Sequence, residues 1–138
     1  MIIDGKDLIL GRVACIVAKK ALCGEEVTLL NCEHIVISGD PVVVIGKALH
    51  ERARGNSTYG PFISRAPDRW VRRVIRRMLP ARTNRGMTAF RRTMCYVGIP
   101  KEFEGKEIET VKDAHVSRLK TLKYTSVGLI CKQLGGKQ

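Results

Sequence analysis

Aromatic residues make up only 5% of this 138-residue sequence, which leaves aliphatic side chains to build its core. No C-x-x-C pair occurs, and the cysteines (Cys15, Cys23, Cys32, Cys95 and Cys131) are odd in number. That pattern argues against a disulfide framework and predicts reduced thiols in a cytosolic protein. Cys15 and Cys23 fall within an apolar helical pattern and are expected to be small core residues. No apolar run approaches membrane-spanning length and no charged-then-apolar leader opens the chain, so a soluble, intracellular protein is expected.

A further absence is local. From Arg65 to Arg92 there is no lysine and one acid, Asp68, against ten of the chain's fourteen arginines. The first forty residues carry a net charge of −2, so the overall charge of +12 is concentrated downstream. Such a charge points to a polyanionic partner. A merely solvated surface mixes Lys, Glu and Arg, whereas an arginine-only block suits forked contacts with phosphate or base edges.

With 44% apolar residues, the chain has enough for one folded domain over residues 1–138, without repeats or a dividing linker. Met1–Asp4, Glu26–Asn31, His34–Ser38 and Cys95–Gly98 read as strands. The near-continuous apolar character of the second and third suits a sheet covered on both faces. Helices are predicted from about Gly11 to Gly24 and from Pro41 to Arg54. The second has Asp40 as N-cap and a stripe of Val42, Ile45, Leu49 and Ala53. Further helices are predicted from Pro67 to Leu79, from Met87 to Met94, and from Ser126 as cap through Leu134. Lys101–Asp113, with five acids and three lysines, is expected to be exposed. Strands alternating with helices give an α/β domain with a mostly parallel sheet, the arginine-rich part forming a helix-loop appendage.

The segment RWVRRVIRRMLP, Arg69 to Pro80, explains its own spacing. At 100° per residue Trp70, Val71, Val74, Ile75, Met78 and Leu79 share one half of a helix, and Arg69, Arg72, Arg73, Arg76 and Arg77 the other. Like charges at i,i+3 and i,i+4 cost tenths of a kcal/mol per pair, about 1–2 in total, and a nucleic-acid backbone would offset that. Arg82-Thr-Asn-Arg85-Gly86 reads as a backbone-following loop whose glycine supplies flexibility, and Arg91 and Arg92 extend the charge. In the preceding loop, Tyr59 and Phe62 either stack on bases or close a local mini-core.

Catalytic and metal motifs fail. Gly46-Lys47 would need Gly at Pro41 and Ser or Thr at Ala48 to complete a P-loop. Cys32-x-His34 lacks a second ligand pair, and His34, His50 and His115 have no nucleophile motif around them. Nothing in the spacing of Asp4, Asp7 and Asp40 requires a metal. The reading is of a protein without enzymatic activity, cofactor, metal or small-molecule substrate.

LILGRVACIVAKKAL, ISGD, RAPDRWVRRVIRRMLP, the TNRG loop and CYVGIP, in this order over residues 1 to 134, resemble large-subunit ribosomal protein family thirteen. The RAP segment and the GIP after the last strand place the likeness in the archaeal and eukaryotic branch. The resemblance implies a three-layer α/β/α domain with a small parallel sheet, here four-stranded. It also implies a cytoplasmic, ribosome-bound protein whose partners are large-subunit ribosomal RNA and neighbouring ribosomal proteins, with a part in assembly and translation.

The family's basic helix and loop fall on Arg72, Arg73, Arg76, Thr83 and Arg85, and Arg12 of the LGR motif matches a basic position near a helix N-terminus. With Arg54, Tyr59, Arg65, Arg69, Arg77, Arg82, Asn84, Arg91 and Arg92 these complete the expected RNA-binding set, centred on residues 54–94. Three positions depart from the family. Arg77 stands where glycine is usual, so either the contact is made differently or Arg77 adds a phosphate grip. Tyr59-Gly60-Pro61 replaces R-G-P, and Cys15 replaces a serine or another small residue.

Overall fold

The computed structural model describes residues 1–80 and 82–136. Among these residues five short strands, β1 (Ile2–Asp4), β2 (Val27–Leu30), β3 (Val36–Ser38), β4 (Thr93–Cys95) and β5 (Tyr124–Ser126), are interspersed with five α-helices. These are α1 (Leu10–Cys23), α2 (Pro41–Ala53), α3 (Pro67–Met78), α4 (Asn84–Arg91) and α5 (Val127–Gln133). Residue chemistry sets their limits. Gly24 takes a left-handed φ of 105°, and α1 closes with the Gly24 N–H on the Ala21 carbonyl and the Glu25 N–H on that of Lys20. Asp40 accepts the Val42 N–H at 3.0 Å and Pro41 occupies the first turn of α2. Ser126 caps α5 by accepting the Leu129 N–H.

Strands β1, β2 and β4 form a parallel sheet in the order β1-β2-β4. The expected four-stranded sheet is not formed as read. The chain leaves β2 through Asn31, in the left-handed region (φ 53°), and a 3-10 turn at Cys32–His34. That turn carries β3 away to pair antiparallel with β5, a three-residue strand that the sequence reading left out. A fourth position beside β1 holds only a single parallel bridge: the Glu109 N–H donates to Ile2, and the Asp4 N–H to Glu109. Backbone pairing thus anchors Lys101–Asp113, whose side chains are mostly exposed as expected. Strand β4 ends at Cys95 instead of running on to Gly98, and α4 starts at Asn84 instead of Met87 because Thr83 caps it.

One face of the sheet, carrying Ile3, Val27, Leu29 and Cys95, is buried in a single apolar cluster with Val13, Ala14 and Val17 of α1 and Val71 and Ile75 of α3. On the other face Ile2 and Thr28 are half-buried and Met94 is exposed. At that row no helix seals the sheet among the described residues, so the expected outer helical layer is missing there. The arginine helix is not an appendage. Val71, Ile75 and Leu79 are buried, α3 packs on α1, α5 and β4, and each buried side chain contributes about 1.5–3 kcal/mol.

Two further expectations are corrected. Helix α2 buries no residue. Val42 and Leu49 of the expected stripe are exposed, while Val44 and Ala48 turn toward Ile37, Ile63 and Trp70. Cys15 and Cys23 are exposed, because α1 turns Val13, Ala14, Val17, Ala18 and Ala21 inward. The buried thiols are Cys32, Cys95 and Cys131. Burial and the nearby Asp68 carboxylate push Cys131 up to about 11, and Cys32 is raised further by its hydrogen bond to Cys95 and by burial. A thiol reagent at neutral pH is therefore expected to titrate two cysteines quickly and three only on unfolding. Rapid reaction of all five would show that the core cysteines are not sequestered.

Candidate nucleic-acid interface

Helix α3 is held by its apolar half and offers its charged half outward. Pro67 starts it, Asp68 lies in its first turn, and Arg76 and Arg77 lie in its last, where cations suit the helix dipole. Arg69, Arg76 and Arg77 are exposed, Arg72 and Arg73 half-buried. Phe90 of α4 orders two of them. The Arg72 guanidinium carbon lies 4.6 Å from the ring centroid and that of Arg76 5.8 Å. Cation–π attraction, roughly 0.5–2 kcal/mol, counters the repulsion between the two. The Arg72 Nε is buried without a hydrogen-bond partner among the described residues.

Three adjoining cavities line this surface, and Arg76 borders all of them. One of about 540 Å³ lies among Arg73, Arg77, Pro80, Arg82 and Thr83. A second of about 290 Å³ lies among Gly86, Met87, Phe90 and Arg91. The third, about 480 Å³, reaches from Phe90 and Arg72 across to Phe62 and Ser64 of the preceding loop. Seven arginines thus share one groove: Arg69, Arg72, Arg73, Arg76, Arg77, Arg82 and Arg91.

The turn from α3 to α4 sets the groove's shape. The Thr83 hydroxyl donates to the Pro80 carbonyl at 2.9 Å and accepts the Gly86 N–H at 3.2 Å. A Cβ at Gly86 would lie 2.1 Å from that same carbonyl oxygen. Gly86 is therefore a close-packing residue, and its expected role as a flexible point is corrected. Arg82 and Arg85 flank the N-terminus of α4, where a helix dipole disfavours cations and an anion relieves them.

Electrostatically the surface is unpaired. Among the described residues, none of the arginines from Arg65 to Arg92 enters an ion pair. The carboxylates that a metal would need are used in the fold: Asp4 accepts from Asn31 and Lys6, and Asp40 caps α2. Among the described residues no cluster of three or more His, Cys, Asp or Glu is placed to hold a metal ion, and no helix is long and apolar enough to cross a membrane.

Other expected site residues stand elsewhere. Arg12 donates to the Asp113 carbonyl at 3.1 Å, and Arg54 meets His50 at 3.1 Å. Arg65 donates to the Gly135 carbonyl and Arg52 to that of Leu134, so both cap the end of α5. The Arg92 guanidinium lies near Gly24 at the end of α1. Asn84 and Arg85 are exposed on the first turn of α4. Tyr59 and Phe62 are 89% and 75% exposed, which removes the mini-core reading. The sequence reading missed Phe90. Its signal was slight, a lone ring in a run of arginines and small residues, well separated along the chain from the helix it supports.

Comparison with known proteins adds an independent finding. Residues 1–102 match the family model described as ribosomal protein L13. The chain is 42% identical over 136 residues to the large ribosomal subunit protein uL13 of Methanococcoides burtonii, covering 99% of this chain and 98% of the relative. It is 39% identical over 137 residues to that of Methanosarcina barkeri, with the same coverage. With the protein of the same name from Methanopyrus kandleri it shares 40% identity over 136 residues, 97% of this chain and 86% of the relative.

Proposed function

The chain belongs to the ribosomal protein L13 family, and from that premise we propose that it is a structural constituent of the large ribosomal subunit that grips ribosomal RNA through α3 and its flanking loops. The observation that carries the RNA reading is the groove of seven arginines, none of which enters an ion pair among the described residues. Free guanidiniums held close together are costly until an anion meets them, and forked donors suit phosphate oxygens. The partner is a polyanion long enough to span three adjoining cavities, as an RNA backbone is. Phosphate contacts fix register and orientation. The protein acts in translation as part of the cytoplasmic ribosome and as a scaffold, not an enzyme; neighbouring ribosomal proteins complete its surroundings.

Arg69, Arg72, Arg73, Arg76, Arg77, Arg82 and Arg91 form the principal contact set, with Thr83 and Arg85 beside it. Arg77 adds a cation to the cavity of about 540 Å³. Tyr59, Asn84 and Arg54 lie on exposed flanks available to RNA. Arg12 and Arg65 each also donate to a backbone carbonyl of the fold, and these two and Arg92 are exposed and complete the outer part of the set. Sucrose-gradient sedimentation of a lysate, with a high-salt wash and mass spectrometry, tests the assignment. Stoichiometric co-migration with the large subunit through the wash is expected. Protein mainly at the top of the gradient would refute it.

A further inference from the structure

We propose that the cavity between Phe62 and Phe90 receives one unstacked nucleotide, its base laid against the Phe62 ring and its phosphates held by Arg73 and Arg76; the inference rests on the RNA-binding reading above. The first observation is the ring itself. Phe62 is 75% exposed, whereas Phe90 and Phe103, the other two phenylalanines, are half-buried. It follows a fixed hairpin, not a loose loop. The Asn56 and Gly60 N–H groups donate to each other's carbonyls at 3.2 and 2.9 Å, and a Cβ at Gly55 would lie 1.9 Å from the Gly60 oxygen.

The second observation is what the ring faces. The cavity of about 480 Å³ falls within the roughly 300–1,000 Å³ of small-ligand pockets, and its lining holds no carboxylate. Across it stand Arg72, Arg73 and Arg76, and among the described residues the Arg72 Nε behind the lining has no hydrogen-bond partner. Ser64 accepts the Ala66 N–H at 3.3 Å, which leaves its hydroxyl proton free to donate. A bare phosphate has no use for the ring, and an apolar ligand has none for the cations. A nucleotide uses both. Bases within an A-form helix are stacked out of reach, so the nucleotide comes from a bulge or loop. Shape selection by a single extruded base would then add to phosphate gripping.

The test compares full-length protein binding to an RNA duplex carrying one bulged 2-aminopurine and to the same duplex uninterrupted. Stacking on one aromatic ring changes affinity by about 5- to 150-fold, so a preference of that order for the bulged RNA is expected, with a change in 2-aminopurine fluorescence on binding. Phe62→Ala should erase both while leaving duplex affinity intact, and Phe62→Trp should retain both. Because Phe62 is exposed, neither change threatens the fold, which a melting curve checks. Equal affinity for the two RNAs, or Phe62→Ala weakening both alike, overturns the pocket and leaves RNA binding standing. Binding to neither RNA overturns the RNA reading itself.

Discussion

Replacing Arg73 and Arg76 together with alanine is expected to weaken binding to large-subunit RNA by roughly 150- to 25,000-fold, at 1.5–3 kcal/mol for each charge-assisted hydrogen bond removed. These two are chosen by position: Arg76 borders all three cavities and Arg73 two. Their loss should not unfold the chain. Of the i,i+3 and i,i+4 arginine pairs on α3, only Arg69–Arg72 survives the change, so like-charge repulsion falls by tenths of a kcal/mol per pair. The melting temperature should stay level or rise by a few degrees. Binding against salt gives a second reading. If the seven groove arginines meet phosphates, the log–log slope is about −5 to −6, and the double variant is shallower by about 1.4 to 1.8. Undiminished affinity, or a variant that melts early, would refute the assignment of these residues to RNA.

The arginine helix was legible in the sequence because one local rule produces it. A two-and-two alternation over Arg69 to Leu79 can only be an amphipathic helix, and its ends were marked by Pro67 and Pro80. The same holds for Asp40 and Ser126, whose short side chains cap whatever helix follows them. What failed was what only packing decides. Val42 and Val44 are chemically alike, and tertiary position alone turns Val44 inward and leaves Val42 exposed. Cys15 lay one place off the buried face of α1. Strand β3 had the composition of a central strand, yet Asn31 and the turn after it sent β3 to a different partner.

The site divides in the same way. Periodicity found the cations of α3, but the groove exists only because α4 is brought back against them. Phe90 beneath Arg72 and Arg76, and the hairpin presenting Phe62, depend on contacts between segments that share no sequence pattern. Arg65 shows what charge counting leaves out. It belongs to the basic block by composition, yet one of its N–H groups also donates to the Gly135 carbonyl at the end of α5. Charge density marks the basic surface; hydrogen bonding shows which of its arginines also touch the fold.

Gly86→Ala is expected to damage stability and binding together, because the new Cβ would lie 2.1 Å from the Pro80 carbonyl oxygen and 2.5 Å from its carbon, both backbone atoms. A flexible side chain could swing aside, but here α4 or the end of α3 has to shift. Overpacking of this kind costs about 1–3 kcal/mol, which lowers the melting temperature of a domain this size by roughly 3–12 °C. The shift also loosens the Thr83 cap, whose hydroxyl joins the same Pro80 carbonyl to the Gly86 N–H, and moves Phe90 and Arg91 relative to Arg76. Affinity should therefore fall although every arginine is still present. The salt slope separates the two variants: it stays near its original value in Gly86→Ala, where the charges are kept but misplaced, and flattens in the arginine double variant, where they are gone. A Gly86→Ala protein that melts and binds like the original would mean that the α3–α4 turn has room to give, and that the groove's geometry does not depend on it.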